Sequence, residues 1–267
     1  MFAKATARVC QQALRLKTQP NMMPTTSQNP TARIAIEPDF AWDGQDAYLF
    51  DIDGTLLRSR DRVHFDSFAA SVQRVTGFEI TLGGILLHGN TDTAILREAC
   101  RQAGIPTQLL EERVEAILEA MRNSVAERRH ELDLALMPGV EDVLRHLAQK
   151  GALLGVATGN LEAIGWIKIE KAGLREWFRF GGFSDHFPIR GELIAHAAWK
   201  AREMAGKDAK ICVVGDTPRD IEAARANFLS VIAVATGKFS FDELKEHQPE
   251  VCVTSLADLL ATVKSRV

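Results

Sequence analysis

Three apolar runs, far apart in the chain, each end on polar residues of a kind that carries chemistry. Ala47-Tyr-Leu-Phe-Asp-Ile-Asp-Gly-Thr-Leu-Leu57 delivers two carboxylates, Asp51 and Asp53, into a Gly-Thr turn. Ala152-Leu-Leu-Gly-Val-Ala-Thr-Gly-Asn160 ends on Thr158 and Asn160, and Ile211-Cys-Val-Val-Gly-Asp-Thr-Pro-Arg-Asp220 ends on Asp216 and Asp220. Short apolar runs closed by turn residues read as buried strands. In open parallel sheets, ligands gather at the carboxyl ends of the strands. Three such strands side by side bring Asp51, Asp53, Thr158, Asp216 and Asp220 to one crevice. Crowded carboxylates repel unless a cation or a shared proton relieves them, so the pattern reads as a site rather than as three unrelated turns.

The chain has 267 residues, enough for one large α/β core and a smaller unit. Its 46% hydrophobic and 25% charged residues are ordinary for a globular protein, and its net charge of −3 gives no electrostatic case for a nucleic-acid partner. No apolar stretch is long enough to span a bilayer, so no membrane partner is expected. Cys10, Cys100, Cys212 and Cys252 are scattered, with Cys212 and Cys252 inside apolar runs. That is a reduced, intracellular pattern, neither a disulfide framework nor a zinc site.

The N-terminus differs in character. From Met1 to Ile36 there is no Asp or Glu, while Lys4, Arg8, Arg15, Lys17 and Arg33 are basic. Residues 1–40 are therefore set apart as a tail outside the fold. Cytoplasmic placement is expected, with an organellar address as the alternative if the basic segment is a transit peptide.

Strand–helix alternation stops after Leu57. Phe65, Phe68, Ala69, Val72 and Val75 are spaced for one face of a helix ending near Gly77. Thr91 or Asp92 can cap a second helix closed by Gly104 and Pro106, and Thr107 a third through Val125. Near Met137-Pro-Gly the alternation resumes, with a helix on Val140, Val143, Leu144 and Leu147 and strands at 178–183, 231–235 and 251–253. The expected architecture is an α/β core with a parallel sheet, split into 41–57 and 136–267 around an all-helical unit at 58–135.

These motifs together resemble the haloacid dehalogenase superfamily in its magnesium-dependent phosphatase branch. The matching stretches are Asp51-Ile-Asp53-Gly-Thr-Leu, Thr158-Gly-Asn and Gly215-Asp-Thr-Pro-Arg-Asp220. The resemblance runs from about Ala47 to the C-terminus and implies a Rossmann-like three-layer core closed by the helical unit as a cap. Where the family places a lysine, Phe183-Ser-Asp-His-Phe-Pro-Ile-Arg-Gly-Glu-Leu offers Arg190. Arg190 is preferred as the phosphate-facing cation. Lys171 is the alternative, although its place before Gly173 also suits a helix C-terminus.

The resemblance implies Asp51 as nucleophile, forming an aspartyl-phosphate, and Asp53 as acid for the leaving group and then base for water. Mg2+ is implied on Asp51, the Asp53 backbone carbonyl and Asp216, with Asp220 direct or through water. Asp220 equally suits the first turn of a helix begun by Pro218. Thr158 would bind a phosphoryl oxygen, and Asn160 either assists or caps a helix. His88-Gly-Asn-Thr-Asp92 resembles a stretch of phosphoglycolate-phosphatase-like members, so His88 and Thr91 either face substrate or form only a loop and cap. Arg58, Arg60 and Arg62 could read an anionic group or be solvated.

The expected activity is hydrolysis of a small phosphorylated metabolite, phosphoglycolate-like compounds first; the oligomeric state is not legible. A sugar-phosphate mutase of the β-phosphoglucomutase type, and a phospho-acceptor module without turnover, are the alternatives. A phosphonatase is disfavoured because Leu56 to Gln149 contains no lysine. EF-hand and Walker-type loops fail at their fixed positions: Leu56 and Arg62 stand where the first needs Gly and Glu, and Ile232 and Phe239 interrupt the second.

Overall fold

The computed structural model describes residues 32–264. In chain order, β1 (Ile34–Ile36), β2 (Ala47–Phe50) and β3 (Leu57–Ser59) precede three helices, α1 (Val63–Thr76), α2 (Asp92–Gln102) and α3 (Thr107–Glu127). Then come β4 (Leu134–Leu136), α4 (Val140–Gln149), β5 (Leu153–Ala157), α5 (Glu162–Lys171), β6 (Phe180–Gly182) and α6 (Arg190–Ala205). The chain closes with β7 (Ile211–Gly215), α7 (Pro218–Ala226), β8 (Ser230–Val234), α8 (Phe241–Glu246), β9 (Val251–Val253) and α9 (Leu256–Lys264).

The three apolar runs are β2, β5 and β7, and they are neighbours. The sheet order is β1-β9-β8-β7-β2-β5-β6, parallel throughout except for β1 against β9. Ala47 stands opposite both Leu153 and Ile211. Period-two alternation splits each strand between two apolar layers. Tyr48 and Phe50 pack with Val143, Leu144 and Leu147 of α4, Ile169 of α5 and Leu256 and Leu259 of α9. Ala47 and Leu49 pack with Leu193 and Ala197 of α6, Ile221 of α7 and Leu244 of α8. Both faces are covered by helices, which is why these strands read as continuous apolar runs instead of alternating ones. The result is a three-layer α/β core.

Helices α1–α3 lie between β2 and β5 in sequence and share a separate apolar cluster, including Phe68, Val72, Leu96, Ile117 and Met121. Leu161 and Ile164 of the core join that cluster, so the insert is seated on it. Its helix ends follow local chemistry. Gly77 closes α1 at φ 77°, and the Thr91 hydroxyl accepts from Ala94 N at the start of α2. For α3 the N-cap is Pro106, not Thr107, and no side chain caps it.

Two features depart from expectation. The tail was set at residues 1–40, yet Ile34–Ile36 pair with Val251–Val253 as an antiparallel edge strand; most of the tail, with Cys10, lies outside the described residues. The insert was expected to be all-helical, but β3 and β4 pair antiparallel, Leu57 with Leu136 and Ser59 with Leu134. Both crossings between core and insert thus run side by side. Among the described residues no helix is long and apolar enough to cross a membrane.

Candidate active site

The carboxyl ends of β2, β5 and β7 form the floor of a cavity of about 400 Å3, roofed by the insert and lined by Asp51, Asp53, Thr158, Asn160, Arg190 and Asp216 among others. Asp51 follows the last residue of β2, its N–H donating to Val214 O at 2.9 Å. Asp53 lies one turn further, where Gly54 takes φ 96° and donates back to Leu57 O. A side chain at Gly54 would be strained there and would collide with the Asp216 carboxylate. That is why Asp-x-Asp is followed by glycine.

Oxygens of Asp51, Asp216 and Asp220 lie within 4.8 Å of one another, and all three residues are buried. Arg190, the first residue of α6, points into this cluster. Its guanidinium meets Asp51 Oδ1 at 2.9 Å and donates to Asp220 Oδ1 from Nη2 at 2.6 Å and from Nε at 2.9 Å. Arg190 therefore occupies the position expected of the cation. Lys171 is exposed at the end of α5 and does not line the cavity.

Three buried carboxylates and one guanidinium leave an excess of negative charge. Burial, then the Asp51 and Asp220 charges, push Asp216 far above the usual carboxylate range. Burial also raises Asp51; Arg190 opposes the shift, while Asp220 and Asp53 add to it. Thr55 donates to Asp216 Oδ1 at 3.1 Å. A buried set of hard oxygen donors carrying uncompensated charge fits a divalent cation such as Mg2+.

Asp220 has a different fit. Its Oδ2 accepts from Thr217 N and Thr217 Oγ1 in the capping box that starts α7, while its Oδ1 holds Arg190. The helix-start role expected of Asp220 is present, and its oxygens are engaged by Thr217 and Arg190, so its expected role as a metal ligand competes with protein donors.

Asp53 faces the cavity with 41% of its side chain exposed. Its Oδ2 accepts from Lys168 Nζ at 2.6 Å and Asn160 Nδ2 at 2.8 Å. Burial alone would raise this carboxyl, but the Lys168 ammonium and these hydrogen bonds outweigh it and hold it below the usual range. Asn160 also donates to Thr158 Oγ1 and accepts from Lys168. The helix-cap reading of Asn160 fails, because Leu161 is the N-cap of α5 and no side chain caps that helix.

Lys168 is the site residue that motif reasoning missed. It lies on α5, four residues after Ile164, and both are buried. A lysine at an apolar-face position is the signal that could have exposed it, since a buried ammonium needs a partner. Lys168 also reaches His64 Nδ1 at 3.1 Å, and His64 Nε2 meets Asp92 Oδ2 at 3.0 Å. An ammonium can only donate, so Nδ1 is the acceptor and the ring proton sits on Nε2. This polar chain runs from Asp53 on the core into α1 and α2 of the insert.

The remaining candidates divide. His88 lines the cavity. Thr91 does not: it is fully buried, accepts from Ala94 N and donates to Pro188 O at 2.6 Å. The substrate-contact reading of Thr91 is corrected to the loop-and-cap reading. Arg62 pairs with Asp66 and stacks on Phe65, Arg58 reaches Thr236 O, and Arg60 is exposed; none lines the cavity.

An α/β sheet with acidic residues at its strand ends and a helical insert after the first of them describes a class of hydrolases. The family model for haloacid dehalogenase-like hydrolases matches residues 45–227, and the chain belongs to that family. It is 26% identical over 220 residues to a phosphoglycolate phosphatase of Pseudomonas savastanoi, covering 79% of this chain and 77% of the relative. It is 29% identical over 230 residues to phosphoglycolate phosphatase 1 of Pseudomonas aeruginosa, covering 85% and 82%. The crystal structure of a predicted phosphoglycolate phosphatase from Haemophilus somnus superposes with a TM-score of 0.59 at 19% identity, covering 82% of this chain and 98% of that one.

Proposed function

We propose that this chain is a magnesium-dependent phosphomonoesterase that works through an aspartyl-phosphate on Asp51. The observation that carries this reading is the Asp51–Asp216–Asp220 cluster with Arg190 set against it at the sheet's strand ends. Asp51 and Asp216, with the Asp53 backbone carbonyl, would hold Mg2+, which supplies charge neutralisation for phosphoryl oxygens. Asp220 would act through Arg190, which it fixes in place. Thr158, buried at the end of β5, contacts a phosphoryl oxygen, and Arg190 stabilises charge on the phosphoryl group beside Asp51.

Asp53 serves both half-reactions. In the resting site Lys168 and Asn160 keep it ionised, the form needed to take a proton from the attacking water. Entry of a phosphoryl dianion places negative charge beside it and drives it toward its acid form, the one that protonates the departing oxygen. The insert, docked on the strand ends, is a cap that excludes bulk water.

The substrate is a small phosphorylated metabolite, and phosphoglycolate, named for the relatives, is the reference compound. Asp51→Asn should abolish phosphate release while leaving the circular dichroism spectrum and a cooperative melting transition in place; retained turnover removes Asp51 as nucleophile. A mutase would isomerise a sugar phosphate without free phosphate, and a phospho-acceptor would stop after one phosphoryl group. Phosphate release over many turnovers separates both from a phosphatase.

A further inference from the structure

The part of the cavity that would receive the leaving group has its own chemistry. Above the acidic floor the insert presents Phe65, Phe68, Leu82, Leu87 and Ile95. Phe68 and Leu82 are buried and Leu87 is half-buried, so the wall is built on the insert's own apolar cluster.

The charges oppose a second anion. Asp51, Asp53, Asp61, Asp92 and Asp216 line the cavity, against Lys168 and Arg190 as its lysine and arginine side chains among the described residues. Both cations are committed: Arg190 to Asp51 and Asp220, Lys168 to Asp53, Asn160 and His64. His64 has both ring nitrogens engaged, by Lys168 and by Asp92. Burial, and then the Lys238 charge, push His88 below the usual imidazole range. The insert has no lysine to offer; Arg58, Arg60 and Arg62 do not line the cavity, and Arg62, stacked on the outer wall residue Phe65, is paired with Asp66.

One phosphoryl dianion and one divalent cation cancel, leaving the wall with unbalanced acidic groups nearby. A substrate carboxylate placed there would lose hydration beside these acidic groups, with both lining cations already engaged. An apolar alcohol would instead gain free energy for the surface it removes from water.

Resting on the phosphatase reading of the site, we infer that the leaving-group pocket selects phosphomonoesters with an uncharged, apolar alcohol over substrates carrying a second anionic group, phosphoglycolate included. The compound named for the relatives is then a poor substrate for this chain, because the pocket wall decides specificity and the phosphoryl site does not.

The test compares kcat/KM for benzyl phosphate, ethyl phosphate and 2-phosphoglycolate with Mg2+ present, using p-nitrophenyl phosphate as a general reporter. All three test compounds have alkyl leaving oxygens, so the comparison weighs the body of the alcohol. Benzyl phosphate should exceed phosphoglycolate by about tenfold or more, with ethyl phosphate between them. Leu87→Arg should move the ratio toward phosphoglycolate by a similar factor, and Leu87→Gln should not. Hydrolysis of the reporter with phosphoglycolate preferred over benzyl phosphate overturns the inference and leaves the phosphatase reading standing. No turnover of any ester, reporter included, brings both down.

Discussion

At the scale of the residue, the candidate site was legible wherever a polar group stands at the end of an apolar run. Asp51, Asp53, Thr158 and Asp216 announce themselves this way, because a strand end is a position fixed by the strand before it. Arg190 emerged from a requirement: gathered carboxylates need a cation. Lys168 did not emerge, because its role depends on α5 lying against Asp53, a tertiary fact with no local motif. Its placement makes a specific prediction. Replacing Lys168 with Met removes the charge that holds Asp53 down, so the acidic limb of the pH–rate profile should move to higher pH. The rate constant kcat should fall by roughly 10- to 100-fold with KM little changed, the size expected when a positioned acid–base group is mis-set. Lys168→Arg should recover part of the rate. An unshifted acidic limb in the Met variant would show that Lys168 only fills space.

At the scale of the element, the core strands were legible because burial on both faces leaves an uninterrupted apolar signature, as in β2 and β7. The short pairs were not. β1, β3 and β4 have three residues each, and their strand character comes from a partner: Ile34 from Val253, Leu57 from Leu136. The seat of the insert was also hidden, although the residues that make it were in view. Asp92 N donates to Gly159 O at 2.7 Å, Asp92 Oδ2 accepts from Leu161 N at 2.8 Å, and Arg122 of α3 reaches Asp185 at 2.9 Å. Gly159 is the tightest point, since an added Cβ would land on the Asn90 carbonyl. Gly159→Ala should therefore push the insert off the strand ends. A loss of about 1–3 kcal/mol in chemical denaturation, with a larger proportional loss of activity, is the expected outcome. Full activity at wild-type stability would mean that the contact yields freely.

At the scale of the whole molecule, the acidic cluster links stability to pH and metal. Asp51 and Asp216 have folded-state pKa values raised above those of the unfolded chain. Between the two ranges the folded state binds more protons, so stability falls as pH rises through that window. Without metal, the melting temperature should decline from pH 5 toward pH 8. Mg2+ should restore more at pH 8 than at pH 5, because carboxylate ligands bind it deprotonated. Asp216→Asn should flatten the decline and weaken the Mg2+ response, and a wild-type protein with no such slope would contradict the assignment. The sheet order has a further consequence, for biogenesis. The interior strand β2 is made long before its two neighbours: Ala47 waits for Leu153 on one side and Ile211 on the other. On the ribosome, Tyr48, Leu49 and Phe50 emerge as a sticky ribbon with no native partner, while the intervening helices can already form. Closing such distant pairings is slow and leaves the nascent chain open to aggregation. Yield in a foreign host should accordingly respond more to chaperone supply and slowed synthesis than to anything done at the catalytic centre.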